Sequence, residues 1–203
     1  KVYALNTVID EHRNLSFVNF GEIVQSHLDA VDFCRDYSQV PVNRRFKTVV
    51  TSAAGYPLDK TYYQTVKGMV GPLDILEPGG NLIIASDCSE GMGSSEYVEA
   101  QRRLIDLGPN GFFADISTKQ YADIDEWQTQ MQLKPMQVGS VSLYTTGLSA
   151  EQRALTGVRM VDSIEQAIDA SIRSSGDRRV AIVPEGPYVA PIYVPESPIR
   201  AAA

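Results

Sequence analysis

Apolar and polar residues follow two different spacings in the first forty positions. The segments VYALNTVID and LSFVNF are strand-like, and the polar stretch EHRN between them predicts an N-terminal β-hairpin with a short turn. In the next segment, apolar residues recur near helical spacing from Ile23 to Phe33, and Pro41 follows soon after its end. We therefore expect a hairpin followed by one helix.

Strand-like and helix-like segments then alternate. Four segments predict strands, the first being a β-branched run typical of a buried strand and the second following the breaker EPGG: FKTVVTSA, GGNLIIASD, VSLYTTG and RRVAIVPEGPYVAPIY. Four segments predict helices: Lys60–Met69 with Asp59 as its N-cap, YVEAQRRLIDLG, DEWQTQMQLKPMQ as far as Pro135, and SIEQAIDASIRSSG. This alternation predicts an α/β fold with a mainly parallel sheet and helices on both faces.

The length of 203 residues fits one α/β domain with a substantial core. We assign residues 1–193 to this domain and residues 194–203, which are rich in proline and alanine, to a loose tail. With 43% hydrophobic and 21% charged residues, the composition is that of an ordinary globular protein.

The net charge and the length of the apolar stretches argue against two classes of partner, nucleic acids and membranes. The net charge of -7 and the absence of a basic stripe argue against a nucleic-acid partner. No apolar stretch approaches the roughly 20 residues that span a bilayer, and the first residues have no signal-peptide pattern. Two cysteines, Cys34 and Cys88, predict reduced thiols in a cytoplasmic protein, and they could pair only if the fold brought them together.

Three glycine-containing loops follow predicted strands: SAAGYPLD, SDCSEGMGS and PEGPY. In open α/β sheets, ligands bind beyond the carboxyl ends of the strands, and glycine lets the backbone approach a ligand closely. We expect the three loops to form one rim, which is the default position for a binding site.

The helix after the first of these loops carries a candidate binding group. Gln64 and Lys67 are three residues apart and share a helix face, and Tyr63 neighbours Lys67 one turn away. A lysine beside an amide can hold a carboxylate, because one group supplies charge and the other a directed hydrogen bond. In the alternative interpretation, Lys67 complements the helix dipole and the tyrosine packs.

The other candidates are weaker. The SEGMGS loop lacks the spacing of either nucleotide-binding glycine motif, so a nucleotide-binding oxidoreductase domain has only the strand–helix alternation in its favour. Trp127, the only tryptophan, could be core or the wall of a binding site. His12 falls in the hairpin turn and His27 on a helix, away from the rim, and neither metal-ligand spacing nor a serine nucleophile motif is present. The chain therefore offers substrate-holding groups without a base, a nucleophile or a metal site, like half of an active site.

Five segments, in order, resemble the lactate racemase family, whose enzymes use a nickel-pincer nucleotide. They are NFGEIVQSHLDAVDF, TSAAGYPLDKTYYQTVKGM, IIASDCSEGMGSSEY, DEWQTQM and VAIVPEGPYVAPIY. The resemblance extends over nearly the whole chain, is most specific in GYPLD, YYQTVKG and Trp127, and corresponds to the C-terminal domain of the family.

The resemblance implies a divided active site. In the family, an N-terminal domain, which is absent from this chain, supplies the catalytic histidines, the lysine that anchors the cofactor and the histidine that binds nickel. The C-terminal domain closes over the substrate, and its binding residues match Gln64, Lys67, Tyr63 and Trp127. The implied cofactor is therefore bound mainly outside this chain, which has no catalytic residue of its own.

The implied reaction inverts a 2-hydroxy acid. The substrate gives its hydroxyl proton to a histidine and its Cα hydride to the cofactor, and the planar keto acid turns before the hydride returns. Lys67 would grip the carboxylate during that turn, while Tyr63 and Trp127 would exclude water. The alternative is a stand-alone carboxylate-binding or regulatory domain without catalysis. The residues carried over grip a carboxylate common to many hydroxy acids and sugar acids, so they do not name the substrate.

Overall fold

The structure, a computed structural model, describes residues 1–10 and 12–195. The predicted tail lies outside the described residues, except for Val194 and Pro195. The chain divides into two compact units, unit 1 from Lys1 to Val40 and unit 2 from Pro41 onward. This division falls within the single domain that the sequence predicts.

Unit 1 contains the predicted hairpin and helix. Strands β1 (Tyr3–Ile9) and β2 (Leu15–Glu22) pair antiparallel, and helix α1 (Ile23–Ser38) follows directly. The Glu22 carboxylate starts α1 by accepting hydrogen bonds from the first free amides of the helix. The hairpin prediction is confirmed.

Polar groups join α1 to the hairpin. The Ser26 hydroxyl is buried between α1 and the strands, where it accepts a hydrogen bond from the Asn6 amide (2.6 Å) and donates to the Asn19 side-chain oxygen (2.5 Å). Ala30, one turn later, is also buried, and the Phe17 and Phe33 rings stack with centroids 4.8 Å apart. The hairpin face that meets α1 therefore combines polar and small residues with one aromatic contact, Phe17 on Phe33.

Unit 2 is built on a five-stranded parallel sheet in the order β7-β6-β5-β4-β8. Its strands are β4 (Phe46–Ser52), β5 (Leu76–Ala85), β6 (Ser140–Tyr144), β7 (Arg159–Met160) and β8 (Val180–Val183). A separate two-stranded sheet pairs β3 (Gln39–Val42), which spans the boundary of the units, with β9 (Ala190–Tyr193). The predicted last strand is thus wrong as one element, because a turn after β8 sends β9 to a different sheet.

Helices cover both faces of the parallel sheet, as predicted. They are α2 (Tyr62–Val70), α3 (Ser95–Ser117), α4 (Glu126–Val138), α5 (Ala150–Leu155) and α6 (Ile164–Ser175), with a short 3-10 helix at Leu73–Ile75. Strand alternation separates the two faces. Thr48 hydrogen bonds to Ser171 of α6 (2.6 Å), whereas its neighbour Val49 packs in the same apolar cluster as Val66 of α2.

Three predicted helix boundaries are wrong. Helix α2 begins at Tyr62 because Thr61, and not Asp59, caps it, accepting a hydrogen bond from the Gln64 amide. Helix α4 continues through Pro135 to Val138. Helix α3 extends to Ser117 across a break at Gly108, whose φ of 68° is not helical.

Apolar side chains from the sheet and from α2 and α3 form the core of unit 2. Its largest fully buried members include Tyr62, Tyr97, Leu82, Ile84 and Leu143. None of the helices in residues 1–10 and 12–195 combines the length and apolarity that crossing a bilayer requires.

A network of charges joins α3 to the start of α4. The Glu126 side chain is only 3% exposed, and it accepts hydrogen bonds from Arg103 (2.5 Å) and Lys119 (2.8 Å). Asp115 and Asp123 complete the network from its more exposed side. Burial on its own would raise the pKa of the Glu126 carboxyl, but the hydrogen bonds from Lys119 and Arg103 outweigh it and hold that pKa below the ordinary 4.5.

We expect this network to make the fold sensitive to acid. A carboxyl whose pKa is lower in the folded state stabilises the fold above its unfolded pKa, and this contribution disappears as the pH falls through the folded value. Glu126→Gln should therefore lower the free energy of unfolding by about 1–3 kcal/mol at neutral pH, and by less as the pH falls below 4.5. Urea unfolding at several pH values measures both effects.

Glu99→Gln is the matched control. Glu99 pairs with Arg102 one turn away on α3, but both side chains are more than half exposed, so the loss should stay below about 1 kcal/mol. Equal losses for the two variants would contradict the role assigned to Glu126.

Candidate functional site

The loops that leave β4, β5 and β8 lie at one edge of the sheet, because the three strands are adjacent and parallel. The predicted rim is therefore present in unit 2. Backbone bonding joins its loops: the Ala53 amide donates to Ala85 (3.0 Å), and Ala53 forms a bridge with Glu185 of the loop after β8.

A ladder of backbone hydrogen bonds fixes the start of α2. The amides of Tyr62 and Tyr63 donate to the carbonyls of Gly91 and Met92, each at 2.9 Å. Just before them, the amides of Cys88 and Glu90 donate to the carbonyls of Asp59 and Lys60, each at 2.7 Å. The first amides of α2 are thus paired with the neighbouring loop and do not face a bound phosphate.

Helix α2 presents three of the four predicted site residues. Tyr63 and Gln64 lie in its first turn, and Lys67 lies in its last turn, where its charge also complements the helix dipole. The Lys67 ammonium is exposed and stands over the Tyr63 ring, 5.9 Å from the ring centroid. In the part of the chain that the structure describes, no carboxylate forms an ion pair with Lys67.

Trp127, the fourth predicted residue, lies beside Tyr63. The two rings meet edge to face with centroids 6.1 Å apart, and Tyr63 makes a second edge contact with the buried Tyr97 at 5.1 Å. Trp127 is 48% exposed, so half of its surface faces solvent. The structure therefore brings Lys67, Tyr63 and Trp127 together in a row, which we call the aromatic row.

The side-chain oxygen of Gln64 is buried and accepts no hydrogen bond from the described residues. An unpaired buried acceptor destabilises a fold by about 1–3 kcal/mol, and the side-chain oxygens of Gln101 and Gln128 are also buried without a described partner. Among the three, the Gln64 oxygen belongs to a residue adjacent to Tyr63 on α2, which makes it a candidate acceptor for a ligand's hydrogen-bond donor.

Two residues of the α4 region hold Tyr63. The buried Gln128 amide donates to the Tyr63 carbonyl oxygen (2.7 Å), which ties α4 to the first turn of α2. Asp125, in a left-handed conformation, accepts a hydrogen bond from Ser94 (2.6 Å). Partial burial raises the pKa of the Tyr63 hydroxyl, and the nearby Asp125 carboxylate raises it further. The phenol is therefore neutral at physiological pH.

Sequence reasoning missed Gln128 and Asp125 as supporting residues. Their only signal is their position beside Trp127 in DIDEWQTQM, and nothing in that pattern indicates contact with a helix more than sixty positions earlier.

The remaining candidate residues lie elsewhere. Both histidines belong to unit 1, with His12 in the turn and His27 on α1. Both cysteines are free thiols, and Cys88 is fully buried beside the hydroxyl of Ser86. Within residues 1–10 and 12–195, no three histidine, cysteine or acidic side chains are grouped so that they could hold a metal ion.

A second concave feature lies between β7 and α6. It is a cavity of about 460 Å³ whose charged lining residues have both signs, namely Arg159, Asp162, Asp169 and Arg173. None of its lining residues belongs to α2 or α4, so it is separate from the aromatic row.

Comparison with known sequences identifies a family for most of unit 2. Residues 43–190 match the model of the lactate racemase C-terminal domain. Lactate racemase from Thermoanaerobacterium thermosaccharolyticum is 25% identical over 187 residues, and the enzyme from Lactiplantibacillus plantarum is 23% identical over 188 residues. Each alignment covers 91% of this chain but only 43% of the relative, so the chain spans less than half the length of these proteins.

Solved structures share the fold. The lactate racemase apoprotein from T. thermosaccharolyticum superposes with a TM-score of 0.81 at 23% identity, over 93% of this chain and 45% of that one. A protein from Thermotoga maritima superposes with a TM-score of 0.56 at 13% identity, over 95% of this chain and 49% of that one.

Gly93 offers a test of how the rim positions Tyr63. Gly93 has a φ of +127°, and a Cβ added there would lie 2.9 Å from the Tyr63 Cβ. Gly93→Ala should destabilise unit 2 by more than about 2 kcal/mol, because backbone strain and a clash add together. It should also change the fluorescence of Trp127, the only tryptophan, because Tyr63 contacts its ring.

Gly79→Ala is the control that introduces backbone strain without displacing a neighbouring side chain. Gly79 also has a positive φ (+74°), but a Cβ there meets no atom within 4 Å. This variant should lose about 1–2 kcal/mol and keep the parent emission spectrum. An unchanged spectrum for Gly93→Ala would mean that the rim does not fix Tyr63.

Proposed function

Because this chain belongs to the lactate racemase C-terminal domain family, we propose that it is the substrate-closing module of a 2-hydroxy acid racemase or epimerase. The observation that supports this proposal most directly is the aromatic row at α2, the helix that also carries the unpaired Gln64 oxygen. These groups can bind a small hydroxy acid, but they include no base or nucleophile that could react with it.

The binding roles follow from charge and hydrogen-bond polarity. A carboxylate only accepts hydrogen bonds, so Lys67, a cation without an ion pair to any described residue, is its partner. The Gln64 oxygen accepts only, so it suits the hydroxyl of the substrate and not its carboxylate. The Tyr63 and Trp127 rings, which meet edge to face beside Lys67, would form one wall of the binding position and exclude water from it.

The resemblance to the family implies a nickel-pincer nucleotide, and the described residues of this chain do not fit it as metal ligands. No group of three potential ligand side chains exists among them, and neither histidine is in unit 2. We therefore assign the cofactor, and the hydride transfer that it would support, to a second module. The chain's own contribution is to hold the carboxylate throughout and to accept a hydrogen bond from the hydroxyl of the bound hydroxy acid, a bond that ends when the hydroxyl proton leaves.

The proposal is tested with the full-length, cofactor-loaded protein and a panel of enantiopure 2-hydroxy acids and sugar acids. Optical rotation, or chiral chromatography of the products, follows the interconversion. We expect one class of hydroxy acid to racemise or epimerise. Binding of a hydroxy acid without interconversion would instead support the non-catalytic carboxylate-binding domain.

On the racemised substrate, Lys67→Ala should lower kcat/KM by about 100- to 1,000-fold, the effect of losing one electrostatic contact to the reacting molecule. Lys134→Ala is the matched control, because Lys134 is an exposed lysine of α4 with no ion pair to the described residues. It should stay within twofold of the parent. Unchanged turnover in Lys67→Ala would remove Lys67 from the mechanism.

Gln64→Met should weaken substrate binding without lowering the stability of the fold. Methionine has a similar length but no buried unpaired acceptor, so the 203-residue chain should keep or gain stability, by up to about 1 kcal/mol. The full-length variant should nevertheless lose substrate affinity, measured as a rise in KM. A stability loss above 1 kcal/mol in thermal or urea unfolding would show that the Gln64 amide serves the fold instead.

A further inference from the structure

The β-hairpin of unit 1 exposes a continuous apolar face, which we call the outer hairpin face. Strand pairing places Leu5 opposite Phe20 and Ile9 opposite Leu15 on this side, with Val18 between the two pairs. These five side chains are 53–71% exposed. Tyr3 extends the face by stacking on Phe20, with ring centroids 5.7 Å apart.

The distribution of apolar residues over the two faces of the hairpin is unusual. A two-stranded sheet with one solvated face normally turns its apolar side to the core. Here the face that meets α1 carries Asn6 and Asn19, which hydrogen bond to Ser26, together with Phe17, which stacks on Phe33. Most of the large apolar side chains of the hairpin lie on the other face. Exposed apolar faces of this kind mark interaction surfaces. The outer hairpin face is therefore a candidate interaction surface.

The comparisons with the racemases indicate which partner packs on the outer hairpin face. The match to the C-terminal domain begins at residue 43, so unit 1 lies outside it. The racemase alignments omit about 18 of the 203 residues at 91% coverage, so they include more than half of residues 1–42. At least half of unit 1 is therefore shared with the racemases, while all of it lies outside the residues that match their C-terminal domain.

We infer that the outer hairpin face packs against the module that the racemases carry in the part of their length that this chain does not span. Unit 1 then supplies the last hairpin and helix of that module's core, and the C-terminal module proper starts near residue 41. This inference rests on the two-module organisation in the proposed function, but not on the reaction. A second copy of the chain is the rival occupant, and it does not account for the sharing of unit 1 with the racemases.

Thiol labelling tests the inference without measuring activity. A cysteine is placed on the outer hairpin face by Val18→Cys, in a Cys34→Ala background that leaves only the buried Cys88. Labelling with a maleimide is compared between the 203-residue chain and the full-length protein. We expect Val18→Cys to react at least tenfold more slowly in the full-length protein, at any protein concentration.

Leu107→Cys is the control, because Leu107 of unit 2 is 49% exposed, close to the 53% of Val18. It should react at the same rate in both proteins. Equal rates for Val18→Cys in the two proteins would overturn the inference. So would protection that grows with protein concentration, which indicates a second copy. Absence of racemase activity in the parent full-length protein, with Val18→Cys still protected, would count against the proposed function alone.

Discussion

The backbone ladder between the exit loops of β4 and β5 is the constraint on which the candidate site depends. A helix start leaves amides without partners, and in α2 two of them are paired with carbonyls of the neighbouring loop. Moving α2 would break these bonds and leave buried polar groups unpaired. The ladder therefore fixes the direction of α2, and with it the positions of Tyr63, Gln64 and Lys67.

The sequence predicted the parts of the fold that depend on local pattern. The β-branched run at β4, the strand–helix alternation and the hairpin all follow from periodicity, and each is present. The start of α2 was mispredicted because the Asp59 carbonyl is bonded to the Cys88 amide, a partner twenty-nine positions away. Likewise, no local signal in the sequence shows that β9 pairs with β3 in a separate sheet.

The sequence predicted which candidate side chains share helix α2, but not the residues that hold them in place. Gln64, Lys67 and Tyr63 share a helix whose spacing can be read from the sequence, and Trp127 was singled out as the only tryptophan. Gln128, which holds the Tyr63 carbonyl, and Gly93, whose missing side chain makes room for Tyr63, act across the fold. Their roles depend on tertiary distances, which a single sequence does not contain.

The boundary at residues 40–41 has a consequence for building chimeric enzymes. A gene junction placed before the hairpin would transfer Lys1–Val40 together with the C-terminal module. The exposed apolar face of the hairpin would then meet a protein with which it did not evolve. If unit 1 belongs to the core of the second module, as we infer, a junction just after α1 keeps that segment with its packing partner. Chimeras that exchange the C-terminal module should then be joined near residue 41, where unit 2 begins.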